Sequence, residues 1–221
     1  MTSMNQEQAR FNMVEQQVRT WDVLNARVLD VLHEIPRERF VPHSFETLAY
    51  ADTELEIGHN QVMDKPLISA RLLQELNIQE DETVLEIGTG SGYLTALLAQ
   101  LAKHVYSIDK NSHFIEKAKT VLASLDIQNV TLSTTDAIDQ TIENGPFDVV
   151  ACTASFPDQV PQAVLENIKV GGRMFAVIGQ SPLMEATLIT RTSNTTWGQK
   201  ALFETETAAI EGIKAVEKFT L

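Results

Sequence analysis

The feature that most constrains the fold of this chain is a glycine-rich turn between an apolar strand pattern and an apolar helix pattern. Residues 84–99 read VLEIGTGSGYLTALLA, and Gly88, Gly90 and Gly92 occupy the turn. Because glycine has no Cβ, the backbone there can approach a ligand closely. The helix that follows directs its free N–H groups and the positive end of its dipole to the same point. The segment predicts a tight strand-to-helix turn and, in this context, a ligand-binding loop.

The spacing of this loop narrows the choice of ligand. A dinucleotide-binding turn has the pattern G-x-G-x-x-G, and Tyr93 stands here at the position of its third glycine. No Gly-Lys-Ser/Thr follows, which also disfavours a phosphate-binding P-loop. Asp109 ends the next strand pattern, 17 positions after Gly92, where a carboxylate can accept hydrogen bonds from both hydroxyls of a ribose. Asp109 could instead cap the next helix, a role that Asn111 or Ser112 could fill equally well.

Strand and helix patterns alternate along the chain after residue 82. The strand patterns cover 83–87, 104–108, 130–133, 147–151, 173–178, 187–191 and 200–205, and the helix patterns cover 92–101, 112–124 and 160–168. This alternation is typical of a parallel sheet with helices on both faces, which binds ligands beyond the carboxyl ends of its strands. Before residue 82 helical spacing dominates, and Asp64 stands where an N-cap belongs for a helix over 66–76.

The composition excludes several classes of partner. The 221 residues include 17 Lys and Arg against 30 Asp and Glu, which gives a formal net charge of −13. Duplex nucleic acids and anionic membranes both require a basic surface, so we expect neither as a partner. Cys152 is the only cysteine and the histidines show no ligand spacing, so we predict no disulfide and no metal. The chain shows no signal peptide or membrane-spanning stretch, and we expect a cytoplasmic protein.

Several segments spread over residues 13–191 carry a family resemblance. They are MVEQQV (13–18), IPRERFVP (35–42), LAYADTELEIGHNQ (48–61), VLEIGTGSGYLTALLA (84–99), PFDVVACTAS (146–155) and KVGGRMFAVIG (169–179). The glycine loop followed by an acidic residue at the end of the second strand resembles class I S-adenosylmethionine-dependent methyltransferases in general. The RERFVP and AYAD segments are more particular, and the whole set resembles the protein-L-isoaspartate O-methyltransferase family.

The resemblance implies a fold and a division of the chain. The fold is α/β, with a doubly wound, mostly parallel, seven-stranded Rossmann-like sheet and extra N-terminal helices. The chain is then a single methyltransferase domain over 1–221. Residues 1–80 would form a helical cap with the acceptor segment, and residues 81–221 would form the cofactor-binding core.

The resemblance also implies S-adenosyl-L-methionine as the cofactor and S-adenosyl-L-homocysteine as the product. The cofactor would lie over the glycine loop, with Asp109 on its ribose and Asp136 near its adenine. Glu86 would help to hold the methionine end, or would serve the structure alone. The implied cofactor residues are Glu86, Gly88, Thr89, Gly90, Gly92, Asp109, Lys110, Asp136, Ala137 and Thr153.

The acceptor segment departs from the family pattern, which reads G-Q-T-I-S-x-P. Gln61 and Pro66 match it, but Val62 replaces the threonine and Asp64 replaces the serine. The serine is expected to donate a hydrogen bond to a substrate carboxylate, whereas an ionised Asp64 has no proton to donate. Two carboxylates about 4 Å apart at an effective dielectric near 20 repel by about 4 kcal/mol. Asp64 is therefore protonated, paired with Lys65, or turned away as a helix cap.

These features leave several functions open. The first is carboxyl methylation of L-isoaspartyl residues in damaged proteins, a reaction that needs no general base because the acceptor is already ionised. The second is methylation of another acceptor, such as a small molecule, for which His59 and Asp64 are the candidate bases and Gln61 a neighbouring acceptor-site residue. The third is a non-catalytic module that binds S-adenosylmethionine. A nicotinamide dehydrogenase is disfavoured by Tyr93. The oligomeric state is left open.

Overall fold

The computed structural model describes residues 3–213. Its strands form one two-stranded and one seven-stranded sheet, and helices pack around them. The α-helices are α1 (Ser3–Asn12), α2 (Ala26–Glu34), α3 (Pro66–Leu76), α4 (Tyr93–Leu101), α5 (Ser112–Ser124) and α6 (Gln162–Leu165). The strands are β1 (Leu55–Gly58), β2 (Gln61–Met63), β3 (Thr83–Ile87), β4 (His104–Asp109), β5 (Val130–Thr134), β6 (Phe147–Phe156), β7 (Ile168–Gln180), β8 (Leu183–Arg191) and β9 (Trp197–Glu204).

The main sheet has seven strands in the order β5-β4-β3-β6-β7-β8-β9. The first five of these pair in parallel, and β8 pairs antiparallel with both β7 and β9. The strand order reverses its direction between β3 and β6, which is where such sheets open a crevice for a ligand. The predicted α/β fold with a mostly parallel, seven-stranded, doubly wound sheet is confirmed.

Hydrophobic clusters cover the sheet on both faces. Neighbouring residues of β3 point to opposite clusters, because successive side chains of a strand alternate between faces. Val84 belongs to the cluster that contains α3, α4 and α5, whereas Leu85 belongs to the cluster that contains α6. Both side chains are fully buried. This burial on both faces explains the continuous apolar run of β3. The strand ends at Ile87, where the glycine loop begins.

The N-terminal part packs on the α3–α5 face and carries a second, two-stranded sheet. Strands β1 and β2 pair antiparallel and form a hairpin. His59 and Asn60 turn this hairpin with positive φ angles of 54° and 57°. Val14 and Val18 of this part are buried, whereas Phe11 is exposed.

The helix predicted over 160–168 and the strand predicted over 173–178 were wrong in extent. The helix predicted over 160–168 is confined to α6, and β7 continues through Gly171 and Gly172 instead of starting after them. The pairing of β6 with β7 shifts register at this point. A Cβ at Gly172 would lie 2.7 Å from the backbone oxygen of Asp148. The glycine pair therefore permits a close strand contact at a bulge, which a sequence pattern cannot distinguish from a turn.

Candidate active site

A cleft opens beyond the carboxyl ends of β3, β4 and β6. The glycine loop forms its floor, residues 109–111 and 135–137 form one side, and the β1–β2 hairpin with residues 209–211 forms the other. Most of the residues predicted for the cofactor and two of those predicted for the acceptor line this cleft. They are His59, Gln61, Gly88, Gly90, Asp109, Lys110, Asp136, Ala137 and Thr153.

The glycines of the loop meet different demands. Gly88 has a φ of +93°, and a Cβ placed there would meet nothing within 4 Å, so its freedom of conformation is what the loop needs. Gly92 has a φ of +82°, and a Cβ there would lie 2.9 Å from the Cβ of Ala118. Gly92 therefore allows the close packing of α4 on α5 and does not line the cleft. Gly88 therefore gives the loop its backbone conformation at the cleft, and Gly92 lets the following helix pack closely on α5.

The carboxylate of Asp109 joins two parts of the cleft. One carboxylate oxygen accepts from the backbone N–H of Gly90 at 3.0 Å, and the other accepts from that of Asn111 at 2.9 Å. The cap of α5 is supplied by the side chain of Asn111, which accepts from the backbone N–H of His113. The alternative role of Asp109 as the cap is therefore not observed. Its carboxylate lies at the cleft, half-buried, beside the glycine loop.

The opposite end of the cleft carries Asp136 and Ala137, after β5. Asp136 accepts a hydrogen bond from the backbone N–H of Ile138 at 2.9 Å, which orders the turn. Ala137 is buried and adds apolar surface. An acidic group beside an apolar wall can receive a flat base that carries an amino group. This geometry suits the predicted adenine end.

Glu86 lies below the cleft and is almost fully buried. Its Oε2 accepts from the hydroxyls of Thr95 at 2.5 Å and Ser107 at 2.6 Å. Its Oε1 is buried and has no hydrogen-bond partner among the described residues 3–213. Burial raises the pKa of Glu86 from 4.5 to about 8. The side chain of Thr89, also buried, hydrogen-bonds Ser107 at 2.6 Å, so Thr89 supports this carboxyl from within rather than facing the cleft.

The acceptor side of the cleft is formed by the β1–β2 hairpin. The ring of His59 lies 4.8 Å from that of His113 and 5.5 Å from that of Phe114, centroid to centroid. Gln61 donates from Nε2 to Glu211 Oε1 at 3.0 Å. Glu211 also forms an ion pair with Lys110 from the far side of the cleft. Two contacts therefore connect the hairpin with the cofactor side of the cleft.

Asp64 is not the cap of α3, and that alternative was wrong. Lys65 occupies the N-cap position and makes no side-chain cap bond. The backbone oxygen of Asp64 accepts from the buried guanidinium of Arg37 at 2.5 Å, which holds the chain before the helix in an extended turn. The carboxyl of Asp64 is turned inward, where the hydroxyls of Thr153 and Thr207 hydrogen-bond it. Burial nevertheless raises its pKa from 3.8 to about 6.

Sequence reasoning missed two contributors to the site, Arg37 and residues 207–211. Arg37 is fully buried and also donates to the backbone oxygen of Ala49 at 2.7 Å. Residues 207–211 pair with β6, because Ser155 exchanges backbone hydrogen bonds with Ala208 and Ile210. The sequence leaves open whether residues 208–221 close over the site. Residues 209–211 do line the cleft, and the part of this segment beyond residue 213 lies outside the described residues. Arg37 belongs to the RERFVP segment that carries the family resemblance, so the sequence did mark it. No motif marked residues 207–211.

Residues 8–209 match the family model described as Protein-L-isoaspartate(D-aspartate) O-methyltransferase. The chain belongs to this family. A protein-L-isoaspartate O-methyltransferase of Syntrophus aciditrophicus is 38% identical over 187 residues, which are 85% of this chain and 85% of the relative. One of Pectobacterium atrosepticum is 40% identical over 164 residues, which are 74% of this chain and 78% of the relative.

A solved structure supports the fold. It is a Plasmodium falciparum protein, described as a protein-L-isoaspartate O-methyltransferase in complex with S-adenosyl-L-homocysteine, and it superposes with a TM-score of 0.77. At 17% identity the superposition covers 93% of this chain and 98% of the other. The family prediction made from the motifs is confirmed. Within residues 3–213, no helix is long and apolar enough to cross a membrane, and no three metal-binding side chains cluster.

Proposed function

We propose that this chain is an S-adenosylmethionine-dependent carboxyl methyltransferase that acts on L-isoaspartyl residues of proteins or peptides. The observation that carries the proposal is the family match over residues 8–209, which spans both sides of the cleft. The chain then works as one methyltransferase unit over 1–221, with the acceptor segment in its N-terminal part. A protein or peptide acceptor agrees with a cleft whose acceptor side is an exposed hairpin.

The residues present fit S-adenosylmethionine. Asp109 offers carboxylate oxygens that can accept hydrogen bonds from the hydroxyls of the ribose, and it lies next to Gly88 and Gly90 of the loop in the cleft. Asp136 and Ala137 offer an acidic and apolar end for an adenine. The unpaired buried Oε1 of Glu86 is an acceptor beneath the loop that a cationic amino group would satisfy. We assign Lys110 and Thr153 to the walls of the same site, and Thr89 and Gly92 to its support.

The site's contribution to the reaction is to position the acceptor. When bound, S-adenosylmethionine supplies an electrophilic methyl group. An isoaspartyl carboxylate is ionised at neutral pH and needs no base, so the protein has only to hold it in line and exclude water. Gln61 offers an amide donor at the acceptor side of the cleft. In this structure its Nε2 donates to Glu211. His59 narrows the mouth of the cleft through its contact with His113 and Phe114.

The experiment is transfer of labelled methyl from S-adenosylmethionine to a peptide that contains isoaspartate. The same peptide with normal aspartate is the control for the acceptor, and D109A is the control for cofactor binding. Labelling of the isoaspartyl peptide alone, lost in D109A, is the expected result. Failure to label at any pH between 5 and 8, with cofactor binding intact, would refute the proposed acceptor.

Methylation of a different acceptor is the second candidate, and Val62 and Asp64 favour it. Val62 removes a hydroxyl from the lining of the cleft, and Asp64 brings a carboxyl where an anionic acceptor would be repelled. The double substitution V62T/D64S separates the candidates. If isoaspartyl transfer rises at neutral pH, the departure limits that activity. If the double variant stays inactive while it binds S-adenosylmethionine, small-molecule acceptors become the better candidates.

A further inference from the structure

A hydrogen-bonded pair joins the cofactor wall of the cleft to the acceptor segment, and the reaction described above does not use it. Thr153 lines the cleft near the end of β6, and its hydroxyl also hydrogen-bonds the carboxyl of Asp64. Asp64 does not line the cleft itself. The hydroxyl of Thr153 is thus the link between a buried acid of the acceptor segment and the cleft.

A threonine hydroxyl has a single proton, so the state of Asp64 decides where that proton points. When Asp64 is ionised, it can only accept, and the proton of Thr153 is directed away from the cleft. Thr153 then presents only lone pairs to an acceptor. When Asp64 is protonated, it can donate to the oxygen of Thr153, and the threonine proton becomes free to point into the cleft.

The backbone around this pair is held rigidly. Arg37 is fully buried and binds the backbone oxygen of Asp64 at 2.5 Å, so the segment before α3 cannot move without breaking a buried charged contact. Thr207 hydrogen-bonds the same carboxyl from the segment that pairs with β6. Asp64 therefore cannot easily rotate out to solvent when it ionises, and its charge is felt by Thr153.

We propose that Asp64 is a specificity-determining residue: through the hydroxyl of Thr153 it makes the acceptor site bind a carboxylate when Asp64 is protonated, and disfavours a carboxylate when it is ionised. This inference rests on the proposed function and names the condition under which its acceptor is bound. An ionised Asp64 selects instead for an acceptor that donates a hydrogen bond to Thr153, such as a hydroxyl or an amide.

The charged groups around Asp64 set the direction of the pH dependence. Burial has the largest effect on Asp64 and raises its pKa to about 6. The hydroxyls of Thr153 and Thr207 and the guanidinium of Arg37 act in the opposite direction, and Glu54 adds to the increase. The thiol of Cys152 also lies within the field of Asp64, and burial raises the pKa of this thiol to about 12, so it stays neutral. A carboxylate acceptor is therefore expected to bind best below pH 6 and progressively less well above it.

The test is the pH profile of KM and kcat for an isoaspartyl peptide in the wild type, D64N and T153V. If only the protonated form binds, the competent fraction falls with each pH unit, and KM of the wild type rises up to about 50-fold from pH 6 to pH 8. The kcat should change much less. D64N cannot ionise, so its KM should stay within about threefold over this range. T153V should show a high KM at every pH, because the linking hydroxyl is gone.

A direct binding measurement keeps the two proposals apart. Peptide binding is titrated by calorimetry in the presence of S-adenosyl-L-homocysteine, so that no transfer is required. Peptide binding that weakens above pH 6 in the wild type but not in D64N supports the role of Asp64, even if no methyl is transferred and the proposed function fails. H43Q replaces an exposed histidine outside the cleft lining and should keep the wild-type profile. Equal pH profiles for the wild type and D64N, or no peptide binding at pH 5.5, would overturn the inference.

Discussion

The buried carboxyl of Glu86 leads to a prediction about stability and pH in the protein without cofactor. Its pKa is raised from 4.5 to about 8 because burial penalises the charged form more than the hydroxyls of Thr95 and Ser107 compensate. The folded state therefore holds a proton on Glu86 that the unfolded state has released. Between these two pH values the unfolding free energy falls as pH rises, by about 1.4 kcal/mol per pH unit.

The full effect is up to about 5 kcal/mol between pH 4.5 and pH 8, with little further change from this group above pH 8. That is a large part of the stability of a typical domain, about 5–15 kcal/mol. E86Q removes the titration and keeps the shape. Its amide oxygen can still accept from Thr95 and Ser107. Its NH2 group meets the position where Oε1 lacks a partner, which costs about 1–3 kcal/mol at all pH values.

The assay is urea unfolding of the wild type and E86Q at half-unit steps from pH 5 to pH 8.5. The offset between the two proteins is not diagnostic, because the unpaired amide shifts the whole curve of the variant. The diagnostic quantity is the difference in slope, since E86Q should gain stability relative to the wild type as pH rises. Parallel curves within 0.5 kcal/mol would refute the reasoning and show that Glu86 is ionised in the folded protein.

Three further changes test the cleft and its support. D109A is expected to weaken S-adenosylmethionine binding more than tenfold in a calorimetric titration, because hydrogen bonds to a charged acceptor contribute about 1.5–3 kcal/mol; unchanged affinity would remove the ribose assignment. G92A is expected to lower the unfolding free energy by about 2–4 kcal/mol, because its Cβ would lie 2.9 Å from that of Ala118 at a φ of +82°; a loss below 1 kcal/mol in urea would contradict this packing argument. E211Q is expected to change cofactor affinity less than about fivefold, because the side chains of Glu211 and Lys110 are 52% and 43% exposed; a tenfold loss would mean that the ion pair is shielded from water when the cofactor is bound.

The elements with strong local patterns were predictable from the sequence. The helix over 66–76 and the strand over 83–87 were predicted with the bounds that the structure gives to α3 and β3. Pro66 presets the first turn of one, and the glycine loop ends the other. The helix predicted over 112–124 agrees with α5, which Asn111 caps. In each case a residue at the boundary and the apolar spacing inside pointed to the same element.

The parts of the site that depend on distant contacts were not predictable. Gln61 and Glu211 are 150 residues apart in the chain and meet only because residues 207–211 return to β6. Asp64 has good capping chemistry, but the bond from Arg37 to its backbone oxygen turns its carboxyl inward. Neither outcome has a local signal, because both are decided by packing between segments that the sequence pattern treats separately.

The return of residues 207–211 to β6 determines when the wall of the cleft is completed during synthesis of the chain. Most of the cleft wall is encoded before residue 155, but its last part is supplied by Ala209, Ile210 and Glu211. Because synthesis proceeds from the N-terminus, these three residues are made after every strand of the main sheet. A chain that ended before residue 209 would contain all of these strands but would lack this part of the wall. The wall of the cleft is therefore complete only after residue 211 has been synthesised.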